Sequence, residues 1–104
     1  VANKIGSYML ALAAYDNGIP VYSAFPISTV DFELDRGELI PIEEREEAEV
    51  LDLKLMGKRV TPETASARNI AFDVTPNRLL SGWITEKGVI RPPFKENLEA
   101  AMKA

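Results

Sequence analysis

Asn3 and Lys4 form the one adjacent pair in this 104-residue chain whose side chains together suggest a ligand. An amide beside an ammonium, next to the free N–H groups of a helix start, suits a phosphate or a sugar hydroxyl. A lysine at that end opposes the helix dipole and costs about 0.3–1 kcal/mol unless an anion compensates it. The competing reading is a surface pair on a first helical turn. Asp73 and Glu86 qualify as acid–base groups by residue type alone, because spacing singles out neither. Arg91, ahead of Pro92-Pro93, can hold an anion or serve a structural ion pair. Trp83 suits a core or an interface better than a stacked ligand. The chain contains neither histidine nor cysteine. That excludes disulfides, a thiolate nucleophile, a Cys/His zinc site and a Ser-His-Asp triad within it. Proton transfer here falls to carboxylates, lysine or tyrosine.

Twelve Lys and Arg face sixteen Asp and Glu, a net charge of −4. This argues against broad binding of nucleic acid or of an anionic membrane, both of which need a basic face. The longest apolar run, Tyr8 to Tyr15, is eight residues, against the ~20 that span a bilayer. No basic segment precedes it, so it is not read as a signal peptide. A cytoplasmic location is the default expectation.

The elements that must position Asn3 and Lys4 are legible in outline. Residues 2–17 are predicted to form a helix, with Ile5, Tyr8, Met9, Leu12 and Ala13 on one buried face. Asn17-Gly18 ends it, with glycine supplying a left-handed residue and Pro20 following. Gly6, read as a helix-interior glycine costing about 1 kcal/mol against alanine, implies close backbone packing. Val21-Tyr22-Ser23-Ala24-Phe25 is predicted as a strand. Helix, glycine turn and apolar strand make the αβ half of a parallel crossover. Val1 is a poor N-cap, which leaves the helix's first amides unpartnered. The expectation is that residues 1–104 are the C-terminal portion of one Rossmann-like α/β parallel-sheet domain. Its upstream strands and an N-terminal domain would precede Val1. Ligands in such sheets bind beyond strand carboxyl ends, near helix starts.

The remainder is less regular. Ser28 to Phe32 reads as a loop, Asp35-Arg36-Gly37 as a turn, and Leu39-Ile40-Pro41-Ile42 as an edge or extended segment. Glu43 to Glu49 reads as a solvated charged face or a helix start. Residues 50–60 suggest a hairpin about Met56-Gly57-Lys58. Thr75 is predicted to cap a short helix opened by Pro76 and carrying Leu79 and Leu80. Gly82 to Thr85 leads into a turn at Glu86-Lys87-Gly88. A terminal helix from Phe94 to Met102 places Phe94, Leu98 and Ala101 inward.

Five segments carry a resemblance. Val1-Ala2-Asn3-Lys4-Ile5-Gly6-Ser7-Tyr8, Pro26-Ile27-Ser28-Thr29-Val30-Asp31, Pro41-Ile42-Glu43-Glu44-Arg45, Ala71 to Pro76, and Ile84 to Pro93 occur in this order. Each is similar to a motif of the S-methyl-5-thioribose-1-phosphate isomerases. That family is related to regulatory subunits of the translation initiation factor 2B complex and to archaeal ribose-1,5-bisphosphate isomerases. The third and fifth segments favour the thioribose-phosphate branch. The resemblance implies an aldose–ketose isomerase of methionine salvage, acting on 5-methylthioribose 1-phosphate without metal or organic cofactor. It places substrate binding on Asn3 and Lys4, and the reacting cysteine and aspartate upstream of this chain. It implies a homodimer, and as partners the sugar phosphate and the upstream part of the same protein, with no nucleic acid or membrane. On this reading the chain alone is inactive. Ser7, Phe25, Ile70 and Ser81-Gly82-Trp83 depart from the family pattern. Another pentose 1-phosphate, such as 5-deoxyribose 1-phosphate or ribose 1,5-bisphosphate, therefore stays open, as does a non-catalytic initiation-factor-type subunit.

Overall fold

Long-range strand pairing, more than local periodicity, organises the computed structural model, which describes residues 1–34, 40–42 and 44–103. The expected turn at 35–37 lies outside the described residues. Ala2–Lys4 forms a strand, β1, instead of a first helical turn. It pairs antiparallel with β7, Phe72–Val74, matching Asn3 with Asp73 and Lys4 with Phe72. Val1 and Thr75 extend the ladder, each donating its backbone N–H to the other's carbonyl, at 3.0 and 2.8 Å.

The helix is correspondingly shorter than expected: α1 spans Ser7–Asp16. Gly6 makes the break, with φ +106°, a conformation open to glycine and strained for other residues. A Cβ there would meet nothing within 4 Å. Backbone conformation, not the close packing predicted for it, explains this glycine. Nor are the first amides of α1 unpartnered. The Asp73 carboxylate accepts from Gly6 N at 2.8 Å and from Tyr8 N at 3.2 Å. A side chain distant in sequence thus performs the N-cap's task and fixes α1 to β7. Asp73→Ala is expected to cost about 1–2 kcal/mol, and Asp73→Asn, which keeps one acceptor, less. Urea unfolding of both variants checks this, and no loss in either would contradict the cap. The other end of α1 is as predicted. Gly18 has φ +69°, and Ile19 N donates to Ala14 O at 2.8 Å.

After α1 comes β2, Tyr22–Ala24, within the predicted strand. A single 3-10 turn, Ile27–Thr29, occupies the predicted loop. Next, β3 (Glu44–Arg45) pairs antiparallel with β6 (Asn69–Ile70), and α2 (Ala48–Leu51) follows β3. The predicted hairpin is present as β4 (Lys54–Leu55) and β5 (Lys58–Arg59). Thr75-Pro76 does not open a helix in the expected way. Thr75 is held in the β1–β7 ladder, Pro76 is extended, and one 3-10 turn, Asn77–Leu79, follows without a side-chain cap. Leu79 and Leu80 are buried as expected.

The main sheet runs β2-β8-β9, with β8 at Gly82–Thr85 and β9 at Gly88–Ile90. β2 and β8 are parallel, while β8 and β9 form an antiparallel hairpin. The predicted parallel element is therefore present within a mixed sheet. Helix α3, Phe94–Lys103, packs on this sheet. Leu80, Ile90, Phe94 and Leu98 form the core, with Trp83, Val21 and Ala101 packed around them. Both inward positions predicted first for α3, Phe94 and Leu98, are buried.

The predicted buried face of α1 is the largest correction. Ala11 is the helix's buried residue, whereas Met9 and Leu10 are 74% and 72% exposed, and Leu12 and Tyr15 are exposed too. A helix apolar on every side matches a position covered on more than one side. Its periodicity marks apolarity without saying what lies against it.

Candidate functional site

Successive strand residues point to opposite faces, so β1 separates Asn3 from Lys4. Asn3 shares its face with its strand partner Asp73, and hence with the start of α1. It also lines a cavity of about 480 Å³ together with Ser23, Phe25, Thr29, Asp31, Asn77 and Trp83. Ser23 and Phe25 come from β2 and its carboxyl end, Thr29 and Asp31 from the turn that follows. The volume is that of a small-molecule site, and its lining mixes apolar walls with a few polar groups.

Lys4 faces the other way. Its Nζ lies 5.9 Å from the centre of the Phe72 ring, the residue paired with it across the ladder. A cation over an aromatic face is held loosely, by about 0.5–1 kcal/mol at an exposed site. Lys4 is exposed, and among the described residues no ion pair involves it. Lys4 also acts weakly on Glu49 through its charge.

The acidic stretch is exposed over residues 44–49 and leads into α2, as read from the sequence, and its side chains are also paired. Arg45 donates to Glu49 from Nε at 3.0 Å and from Nη2 at 2.9 Å. Asn69 Nδ2 adds a bond to Glu49 Oε2 at 3.1 Å, and the backbone N–H of Ala67 donates to Glu47. The Arg45 hydrogen bonds, then that of Asn69, hold the Glu49 carboxyl below the ordinary glutamate value. A depressed carboxylate contributes stability above its unfolded pKa and loses it as pH falls through the folded one. An NMR titration is expected to place the Glu49 midpoint below that of a free glutamate. Arg45→Ala should raise it toward the ordinary value; an unmoved midpoint would contradict the pairing.

The remaining sequence candidates have structural tasks. Asp73 caps α1. Glu86 accepts the backbone N–H of Ile27 with both oxygens, at 3.0 and 3.1 Å, tying the β8–β9 turn to the loop after β2. Arg91 donates from Nη1 to Tyr22 Oη at 3.1 Å. Trp83 stacks on Phe94, with ring centres 4.3 Å apart, and meets Phe25 edge-on at 5.5 Å. Sequence reasoning assigned no role to Ser23, Thr29, Asp31 or Asn77 at the cavity. The signal available was their place at and after a strand's carboxyl end, where ligands gather in α/β sheets.

The expected anion site at the helix start changes in kind. Asp73 already fills the amides of Gly6 and Tyr8 with a carboxylate. A phosphate in the same place would meet a like charge. Among the described residues no group of three or more His, Cys, Asp or Glu could hold a metal ion. No described helix is long and apolar enough to cross a membrane.

Comparison with known proteins adds the following. The model of the initiation factor 2 subunit family matches residues 1–92. A curated methylthioribose-1-phosphate isomerase of Acetivibrio thermocellus is 54% identical over 98 residues, covering 94% of this chain and 28% of the relative. The crystal structure of 5-methylthioribose 1-phosphate isomerase from Pyrococcus horikoshii superposes with a TM-score of 0.86 at 49% identity. That match covers 98% of this chain and 28% of that one. The translation initiation factor 2B subunit delta of A. fulgidus superposes with a TM-score of 0.87 at 36% identity, covering 100% and 30%. The chain thus spans under a third of the length of the proteins it matches.

Proposed function

The chain belongs to the initiation factor 2 subunit family, and from that premise we propose that the protein carrying it is an aldose–ketose isomerase. It converts 5-methylthioribose 1-phosphate into 5-methylthioribulose 1-phosphate, a step of methionine salvage. One observation carries this reading. The backbone fits the isomerase and the initiation-factor subunit equally well, at TM-scores of 0.86 and 0.87, but identity is 49% to the first and 36% to the second. Side chains, not the backbone path, distinguish the two activities.

The reaction reduces C1 of the sugar as it oxidises C2, so it balances within one molecule. In the proposed site Lys4 meets the phosphate as a point charge, and Asn3 donates to or accepts from a sugar hydroxyl at the cavity. A substrate across the carboxyl end of β1 is then addressed from both faces of the strand. The groups that break and make bonds are a cysteine and an aspartate on the part of the protein outside these residues. Residues 1–104 form the C-terminal portion of a Rossmann-like domain in this proposal, and the exposed apolar sides of α1 are covered by the rest of it. The protein is a cytoplasmic homodimer that engages neither nucleic acid nor membrane.

Incubating the complete protein with 5-methylthioribose 1-phosphate, followed by NMR of the sugar carbons, tests the proposal. Appearance of the ketose is expected. A protein that instead assembles with a nucleotide-exchange factor and leaves the sugar unchanged would support the regulatory-subunit reading.

A further inference from the structure

Asn3 and Lys4 occupy the last two positions of a three-residue strand whose partner is equally short. A two-stranded ribbon of that size is marginal in water by itself, yet residues that bind a substrate must be held in place. Hydrogen-bonded pairs recur at every second residue of an antiparallel ladder. Val1 and Thr75 exchange both backbone bonds, and Ile5 N donates to Ala71 O at 2.9 Å. Asn3 and Asp73, halfway between, are therefore also such a pair, with their side chains on one face.

From that position the half-buried Asp73 side chain reaches across the corner between β1 and α1. It accepts from Gly6 N at 2.8 Å and from Tyr8 N at 3.2 Å. Two local features complete the corner. Gly6 turns the chain with its positive φ, and Ser7 Oγ donates to the Lys4 carbonyl at 2.7 Å. A helix is ordinarily capped by the side chain of the residue just before it. That residue is Gly6, which has no side chain to offer, and the cap comes instead from the strand partner of Asn3. The start of α1 is thereby tied to the register that carries both substrate candidates.

Neither candidate contributes its own polar group to this framework. Among the described residues no hydrogen bond uses the Asn3 side-chain amide, and the Lys4 ammonium has the Phe72 ring and the weak pull of Glu49. Their placement therefore depends on the backbone, which Asp73 holds through both its ladder bonds and its carboxylate. We propose that Asp73 is a positioning residue for substrate binding. By joining β7, β1 and the start of α1, it sets where Asn3 and Lys4 meet the sugar phosphate. Its carboxylate is occupied by the two amides, so it acts through these residues and not on the substrate. The phosphate held by Lys4 does not itself react, so lost aim falls chiefly on KM. The inference rests on the substrate roles proposed above and adds the group that aims them.

A double-mutant cycle in the complete protein tests this, with 5-methylthioribose 1-phosphate as substrate. Asp73→Ala is expected to raise KM about tenfold and to leave kcat within about twofold. Asp73→Asn, which keeps one acceptor for Gly6 N, should raise KM only about threefold. In a protein already carrying Lys4→Ala, adding Asp73→Ala should raise KM by no more than about twofold, because the main group it aims is gone. Its effect on the urea midpoint should persist there in full, which separates aim from stability. If Asp73→Ala does not fold, Asp73→Asn carries the same cycle. Equal KM losses in both backgrounds, or a native KM in the Asp73 variants, would overturn the proposal. Amide exchange supplies an arm that needs no turnover. Both Asp73 variants should exchange faster over residues 3–8, while residues 82–90 stay protected; unchanged exchange over 3–8 would likewise overturn the proposal. A native protein that leaves 5-methylthioribose 1-phosphate unchanged would remove the activity alone, and the exchange result would still decide on Asp73.

Discussion

Lys4→Ala in the complete protein is expected to lower kcat/KM for 5-methylthioribose 1-phosphate about 10- to 100-fold, chiefly through KM. A hydrogen bond to a charged group is worth about 1.5–3 kcal/mol, and each ~1.4 kcal/mol is a factor of ten. Interactions with a phosphate that does not itself react are formed alike in ground and transition states, which is why KM carries the loss. Stability should hardly change, because Lys4 is exposed and its neighbour is the Phe72 ring. Lys4→Arg should retain part of the affinity, as a cation of different shape. Unchanged kinetics in the alanine variant would remove Lys4 from the site.

Phe94→Ala is expected to cost about 3–5 kcal/mol, a large share of the ~5–15 kcal/mol that holds a typical domain folded. Phe94 is buried at the centre of the core and lies flat against Trp83, which in turn meets Phe25 beside the cavity. Truncation removes the ring from Leu80, Ile90 and Leu98 and leaves Trp83 stacked on nothing. The cavity wall loosens with it, so KM should rise in whatever fraction stays folded. Phe94→Leu, which refills much of the space, should recover most of the stability. An unfolding free energy from urea titration lowered by less than ~1 kcal/mol in Phe94→Ala would contradict the central place given to this ring.

Local chemistry was legible wherever the chain punctuates itself. Asn17-Gly18 ended α1, Met56-Gly57 and Lys87-Gly88 turned their hairpins, and the pattern of Phe94, Leu98 and Ala101 gave the inner face of α3. Partners far apart in sequence were not legible. Nothing near Val1 announces that Ala2–Lys4 pairs with Phe72–Val74, and alanine and lysine are at home in helices. The same pairing turned Gly6 from an apparent helix-interior glycine into the break before α1. It also turned Asp73 from a candidate acid–base group into that helix's cap.

Asn3 and Lys4 were singled out for a sound chemical reason on a mistaken backbone. On a first helical turn both would have stood beside the helix's free N–H groups; on a strand they point to opposite faces, Asn3 beside the cavity and Lys4 over Phe72. The family match over residues 1–92 agrees with the resemblance seen in the motifs. The substrate roles proposed for the two residues rest on that resemblance.

The decisive measurement is kcat/KM of the complete protein on three sugars side by side: 5-methylthioribose 1-phosphate, 5-deoxyribose 1-phosphate and ribose 1,5-bisphosphate. Conversion of the first to its ketose, with the highest kcat/KM of the three, is the predicted result. No turnover of 5-methylthioribose 1-phosphate, or a clear preference for either of the other two, would contradict it.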